Sequence, residues 1–226
     1  GAAAKGILNA DRYSAYKTLE NVQIAFCWAH VRRDFMRVRD GYPRLHGWGL
    51  SWVEKIEELF EINARRLELR ALPSAFAAED QILRQAMAAM SETRELELAD
   101  AELHEAQHKA LKSLRNHWKG LSIFVDRPEI PMDNNESERR LRNPIIGRKN
   151  YYGSGSVWSG RLSAMLFTLF QTLLLNRIDP KKFLLAYFQA CAHNGGRPPH
   201  DMIAWMPWNL AAEQKAVWLY PKQQSP

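Results

Sequence analysis

The sequence predicts an α/β chain that is predominantly helical. Two short apolar runs, Gly6 to Ala10 and Val22 to Phe26, lie near the N-terminus with a short helical segment between them. From Phe26 to Leu121 no strand-like segment recurs, and apolar residues repeat at helical spacing instead. Glycine and proline clusters fall where those helices would end.

The first run ends at Asp11, which the pattern puts at the C-terminal tip of a strand. A short helix from about Ser14 to Leu19 leads to a second buried strand at Val22 to Phe26, rich in branched and aromatic residues. Strand, helix and strand in so few residues suggest a compact parallel unit. Trp28 to Arg39 then carries Val31, Phe35 and Val38 at helical spacing, and Gly41-Tyr42-Pro43 ends it. Between Leu45 and Leu69 the stripe is Trp52, Ile56, Leu59, Phe60 and Leu67, and Pro73 breaks it. Two more helices are predicted, at about Ser74 to Thr93 and Ala99 to Trp118, the second with Leu103, Leu111, Leu114 and Trp118 on one side. This middle block reads as an all-helical insertion of antiparallel hairpins.

Ile123 to Ile130, with Pro128 inside it and Pro131 directly after, reads as a returning loop. Asp133-Asn134-Asn135 offers several capping side chains to a helix that Pro144 should stop near Asn143. Tyr151 to Gly160 is a glycine-serine loop, and an apolar helix from Val157 or Ser159 runs to Leu175. Asp179-Pro180 caps another helix to Ala192, Asn194 to Pro199 forms a turn, and a tryptophan-bearing tail follows. The predicted organisation is a core at 1–40, the helical insertion at 41–122, a second core part at 123–193 and a tail at 194–226.

The chain has 226 residues, 46% hydrophobic and 25% charged, which suits a globular protein with a sizeable core. Its longest apolar run, Ala164 to Leu175, is broken by Thr168, Gln171 and Thr172, too short and polar to span a membrane. Cys27 and Cys191 make no disulfide framework and no signal peptide is recognisable, so a cytoplasmic location is expected. The net charge of +6 and pI near 9.4 favour an anionic partner such as nucleic acid. Arg139, Arg140, Arg142, Arg148 and Lys149 crowd into eleven of those residues.

That basic run lies beside Glu138, one turn inside the predicted helix. Asp11 and Glu138 are far apart in sequence, yet a sheet-and-helix core can bring them together. Mg2+ or Mn2+ prefers oxygen ligands and needs few protein carboxylates when phosphate and water complete the shell. Two such ions about 3.5–4 Å apart can serve phosphodiester cleavage. Arg142, four residues after Glu138, could pair with it as a plain surface pair or reach a phosphate. Gly147-Arg148-Lys149-Asn150 and the glycine-serine loop add donors and charge for a DNA backbone, or form a solvated basic turn. Tyr151, Tyr152 and Trp158 are candidates to stack on an unpaired base or to serve as hydrophobic anchors. Cys27, His30, Cys191 and His193 are four potential zinc ligands, though neither pair has zinc-finger spacing.

Asp11-Arg12-Tyr13-Ser14-Ala15-Tyr16, Cys27-Trp28-Ala29-His30-Val31-Arg32-Arg33-Asp34-Phe35 and the block from Asp133 to Ser154 resemble the DDE transposases of the insertion sequence 66 family. The resemblance continues through Phe170-Gln171-Thr172, Asp179-Pro180, Asn194 to Pro199 and Pro207-Trp208, flanking the helical block on both sides. It implies an incomplete ribonuclease H-like core interrupted by the helical insertion. It places the second catalytic aspartate on Asp11 and the catalytic glutamate on Glu138, both as metal ligands. Arg139, Arg142, Arg148 and Lys149 would lie near DNA. The implied reaction is Mg2+- or Mn2+-dependent hydrolysis at transposon ends, then attack of the 3′-hydroxyl on target DNA. The implied partners are transposon-end and target DNA, with self-association or an intact transposase.

The family's first catalytic aspartate belongs to a strand upstream of Asp11, and ten residues precede Asp11 here. Asp34, Asp40, Asp126 and Asp133 do not match that position. The chain is therefore expected to be the C-terminal part of a catalytic region, with two of three carboxylates and an exposed sheet edge. The competing reading is a catalytically inactive remnant that acts as a DNA-binding or interaction module.

Overall fold

The computed structural model describes residues 5–150 and 153–220. The chain divides into two compact units, residues 1–138 and 139–226.

The first unit opens with β1 (Gly6–Ala10), a 3-10 turn (Ser14–Thr18) and β2 (Val22–Phe26). The strands pair in parallel, Gly6 opposite Val22 and Ala10 opposite Phe26, as the strand–helix–strand pattern predicts. Among the described residues they pair only with each other. Six helices follow to the end of this unit: α1 (Trp28–Gly41), α2 (His46–Glu68), α3 (Pro73–Leu98), α4 (Glu105–Leu121), the single turn α5 (Ile123–Asp126) and the start of α6 (Asn135–Asn150).

The stripes predicted for α1, α2 and α4, Leu67 excepted, form one core with apolar residues of α3. Val31, Phe35 and Val38 of α1 meet Trp52, Ile56 and Leu59 of α2, Leu83 and Met87 of α3, and Leu111 and Leu114 of α4. Phe35 and Trp52 stack at 5.0 Å with an interplanar angle of 11°. Phe60, Leu103 and Trp118 pack at its margin. Gly120 lets α4 lie directly on β2, since a Cβ there would sit 2.6 Å from the Ile24 carbonyl and overlap the Phe26 ring.

Several elements differ from the pattern-based expectation. Pro73 starts α3 rather than only ending α2, because its fixed φ suits a first helical position. The α3 helix runs five residues past Thr93, and α4 starts at Glu105, where His104 Nδ1 accepts from the Ala106 N–H at 3.1 Å. The Ile123–Ile130 stretch is not wholly loop. Ile123, Phe124 and Val125 are buried as a helical turn, since this apolar run has a core to enter. Pro144 does not stop α6, which continues to Asn150. Proline removes one hydrogen bond and crowds the preceding turn, a cost the flanking turns can absorb.

The second unit holds most of α6, then α7 (Val157–Leu175), α8 (Pro180–His193) and α9 (Ala212–Val217). Ser156 caps α7 and Asp179 caps α8, its Oδ1 accepting from the Lys181 and Lys182 N–H groups at 2.8 and 3.2 Å. The described part of the stretch expected to be a tail, up to residue 220, folds instead. Trp218 and Leu210 join Leu173, Ile178 and Phe183 in a small core, with Trp205 against Phe183. An Ile178–Leu219 bridge and an Asp179 N–H bond to the Trp218 carbonyl at 2.7 Å hold that closure. Among the described residues, no helix is long and apolar enough to cross a membrane.

Candidate functional site

The C-terminal ends of β1 and β2 are stapled to the segment that launches α6. The Cys27 N–H donates to the Ala10 carbonyl at 3.1 Å, and the Trp28 N–H to the Met132 carbonyl at 2.9 Å. The Asn9 side-chain amide donates to the Pro131 and Asp133 carbonyls at 2.7 and 2.9 Å. The Asn134 N–H reaches Cys27 Sγ at 3.5 Å. These long-range bonds carry the start of α6 to the strand tips, where Asp11 stands.

Asp11 follows the last residue of β1, and its Oδ1 accepts the Tyr13 N–H at 3.1 Å in a tight turn. Arg12 turns inward. Its guanidinium donates to Ser113 Oγ at 2.7 Å, to the His30 carbonyl at 3.1 Å and to Asp34 Oδ2 at 2.5 Å. This clamp ties the residue beside Asp11 to both α1 and α4. No local pattern marks the role of Arg12, because its partners lie on other elements.

Of the three side chains offered as caps to α6, Asp133 does the local work. Its Oδ1 accepts the Asn135 N–H at 3.1 Å and its Oδ2 the Asn135 side chain at 2.7 Å. Asn134 contributes its carbonyl, which receives the Glu138 N–H at 3.0 Å, while its side-chain oxygen is buried without a hydrogen-bond partner among the described residues. Glu138 therefore projects from the first turn of α6, with 44% of its side chain exposed. Its Oε1 lies 3.3 Å from His30 Nε2 on the first turn of α1. The structure thus attaches both Asp11, through Arg12, and Glu138 to the turn that carries His30.

The basic candidates fall in the second unit. Arg139, Arg142, Arg148 and Lys149 are all exposed along α6. Trp158 is 73% exposed on α7, whereas Tyr151 and Tyr152 lie outside the described residues.

As ligands for Mg2+ or Mn2+, Asp11 and Glu138 fit in kind, being hard carboxylate oxygens. They do not fit in number: among the described residues, no group of three or more His, Cys, Asp and Glu side chains is placed to hold a metal ion. The four suggested zinc ligands likewise form no such group among the described residues. Cys27 is fully buried, and burial pushes its thiol pKa up against the opposing pull of the Asn134 N–H. A buried thiol bound to a backbone N–H is a packing residue in this setting.

The sequence pattern described as "Transposase IS66 family" matches residues 1–162. The uncharacterized protein y4jD of Sinorhizobium fredii is 30% identical over 94% of the chain and 43% of that protein's length. The uncharacterized protein y4qI of the same organism is 31% identical over 92% of the chain and 40% of its own length. The chain therefore spans about two-fifths of the length of these curated relatives. No solved structure matches it. A strand tip bearing Asp11, a capped helix bearing Glu138 and a family match across both lead to one conclusion: the chain belongs to the IS66 transposase family.

Proposed function

We propose that the chain is part of the catalytic region of a DDE transposase, with a ribonuclease H-like core around β1 and β2. In this reading Asp11 and Glu138 each supply a metal-binding carboxylate. Phosphate, water and a carboxylate from outside the described residues complete the set. The observation that carries the reading is the shared attachment of both carboxylate-bearing turns to the first turn of α1.

When bound, Mg2+ or Mn2+ supplies charge stabilisation and an activated oxygen nucleophile for phosphodiester cleavage. The chain's own residues orient and attract. The turn after β1 holds Asp11, and Asp133 fixes the start of α6 so that Glu138 keeps its place. Arg139, Arg142, Arg148 and Lys149 give α6 a positive surface for the DNA backbone, which neutralises phosphate without reading sequence. The DNA taken is transposon-end and target duplex, and the working form is a self-association or an assembly with an intact transposase.

The test is Mg2+-dependent cleavage and joining of transposon-end DNA by the chain extended to the length of its relatives. Asp11→Asn and Glu138→Gln should each lower the rate by at least about a hundredfold. Full activity with Glu138→Gln would sink the assignment. DNA binding without cleavage in the extended wild type would favour an inactive binding module.

A further inference from the structure

Away from the two carboxylates, α1 and the start of α4 enclose a cleft of about 380 Å³, within the range of small-ligand pockets. Its deepest residues are apolar, with Val38 and Ala110 each 7% exposed. Tyr42 and His104 line it as an aromatic pair, ring centroids 5.0 Å apart at 65°, and Tyr42 is 43% exposed. His104 Nδ1 accepts the Ala106 N–H, which puts the ring proton on Nε2 and leaves that ring neutral. Arg37, with 72% of its side chain exposed, and the exposed Lys109 supply cations from the two helices.

Charge sets the class of occupant. Of the charged residues in the cleft, Asp34 is already neutralised by Arg12 at 2.5 Å, which leaves Arg37 and Lys109 against Glu105. The run of cations continues past the cleft. Lys109, Lys112 and Lys119 are exposed at helical spacing on one face of α4, whose only carboxylate is Glu105. Lys109 and Lys119 stand about 15 Å apart along the axis. That is several times the spacing of about 3.4 Å between successive phosphates along a strand. Asp34 and Ser113 line the cleft and both hold Arg12, so one side chain links it to the Asp11 turn.

We propose that the cleft between α1 and α4 binds an unpaired nucleotide of a DNA strand, its base against the Tyr42 ring and its phosphates on Arg37 and Lys109. A flat base suits an aromatic wall above an apolar bed, and such stacking accepts any base. Lys112 and Lys119 carry the strand onward along α4 through its phosphates, without reading sequence. The helical block thereby grips single strand in the same unit as Asp11. This inference rests on reading the chain as one that handles DNA, and its test separates the two.

The experiment gives the full chain a short single-stranded thymidine oligonucleotide carrying 5-iododeoxyuridine. Affinity is read by fluorescence anisotropy, and photocrosslinks are mapped by mass spectrometry. The crosslink should fall on Tyr42 or His104. Tyr42→Ala should weaken binding about tenfold, and Tyr42→Phe, which keeps the ring, should change it little. Arg37→Ala and Lys109→Ala should each reduce the slope of log affinity against log salt by about 0.7. Thymidine monophosphate should bind far more weakly than the strand. Crosslinks confined to Trp158, with Tyr42→Ala binding as wild type does, overturn the cleft and leave the DNA reading standing. Failure to bind either single-stranded or duplex DNA removes both. Thymidine monophosphate bound as tightly as the strand overturns the proposal in favour of a free-nucleotide pocket. If Tyr42→Ala fails to fold, unchanged salt slopes in both Arg37→Ala and Lys109→Ala overturn it.

Discussion

The guanidinium of Arg66, only 1% exposed, meets Asp80 Oδ1 at 2.5 Å. It also donates to the Phe124 and Val125 carbonyls at 3.2 and 2.5 Å, and lies over the Phe76 ring at 4.9 Å. One side chain thus joins α2, α3 and α5. Burial lowers its pKa and the Asp80 carboxylate draws it back up. Removing Arg66 leaves Asp80 to Arg84, whose Nε meets its Oδ2 at 2.7 Å, and strands the two buried carbonyls. Arg66→Met should destabilise the first unit by about 3–5 kcal/mol, measured by urea unfolding followed through tryptophan fluorescence. A loss under about 1 kcal/mol would mean that water satisfies those groups.

Gly120 is where α4 and β2 touch backbone to backbone. A methyl group there would meet the Ile24 carbonyl at 2.6 Å and the Phe26 ring. Alanine is the better helix former by about 1 kcal/mol, so propensity alone predicts stabilisation. Overpacking against a strand backbone should win. Gly120→Ala is expected to cost about 1–3 kcal/mol by thermal unfolding. A more stable variant would mean that α4 can slide off the strand without penalty.

Glu97 Oε2 accepts both indole N–H groups of α2, from Trp48 at 2.8 Å and from Trp52 at 3.0 Å. Trp52 is fully buried, so losing this acceptor leaves its N–H without water. Glu97→Ala should cost about 1–3 kcal/mol, and Glu97→Gln, which keeps a carbonyl oxygen, distinctly less. Equal losses for the two would point to charge rather than to the acceptor.

What the sequence discloses follows the range of each interaction. The pairing of β1 with β2 and the α1 stripe of Val31, Phe35 and Val38 are local periodicities, and they read correctly. The Asp179 cap is local too. Arg66 and Arg94 look like exposed helix cations, and only the tertiary fold shows them 1% and 5% exposed, with Arg94 over Trp118 at 4.5 Å. Trp205 and Trp218 look like a loose tail because their partners lie on α8. In the candidate site, Asp11 and Glu138 are legible as residue types. Arg12 is not, since its partners Ser113, His30 and Asp34 lie on α4 and α1. His30 is legible in the sequence only as a candidate zinc ligand with Cys27, whereas the group 3.3 Å from its Nε2 is the Glu138 carboxylate.

The two cysteines should separate by exposure. Burial raises the Cys27 thiol pKa, so the folded protein keeps the proton at a pH where the unfolded chain has begun to lose it. Its contribution to stability is therefore full below the unfolded value of about 8.5 and is lost as pH rises through the folded value. Tyr187 is also raised, chiefly by burial and then by its hydrogen bond with Cys191, but its window opens only near about pH 10. Cys27→Ala should abolish the earlier decline and leave the later one. Thiol labelling of the native chain at mildly alkaline pH should modify the partly exposed Cys191 well before Cys27.

Arg12 and the α6 cations make opposite predictions, although all are arginine or lysine. The Arg12 guanidinium is committed to Ser113, His30 and Asp34, and its side chain is 16% exposed. Arg12→Ala should lower stability by about 1.5–3 kcal/mol, the range for hydrogen bonds to charged groups. Arg12→Lys should recover only part, because an ammonium cannot span three partners with a planar fork. Arg148 and Lys149 instead stand exposed in the last turn of α6, where a phosphate can reach them. Arg148→Ala and Lys149→Ala should barely change stability. Each should weaken binding to duplex DNA uniformly across sequences and reduce the slope of log affinity against log salt by about 1. If Arg12→Ala flattens that slope as much as Arg148→Ala does, the division between an inward clamp and an outward phosphate surface is wrong.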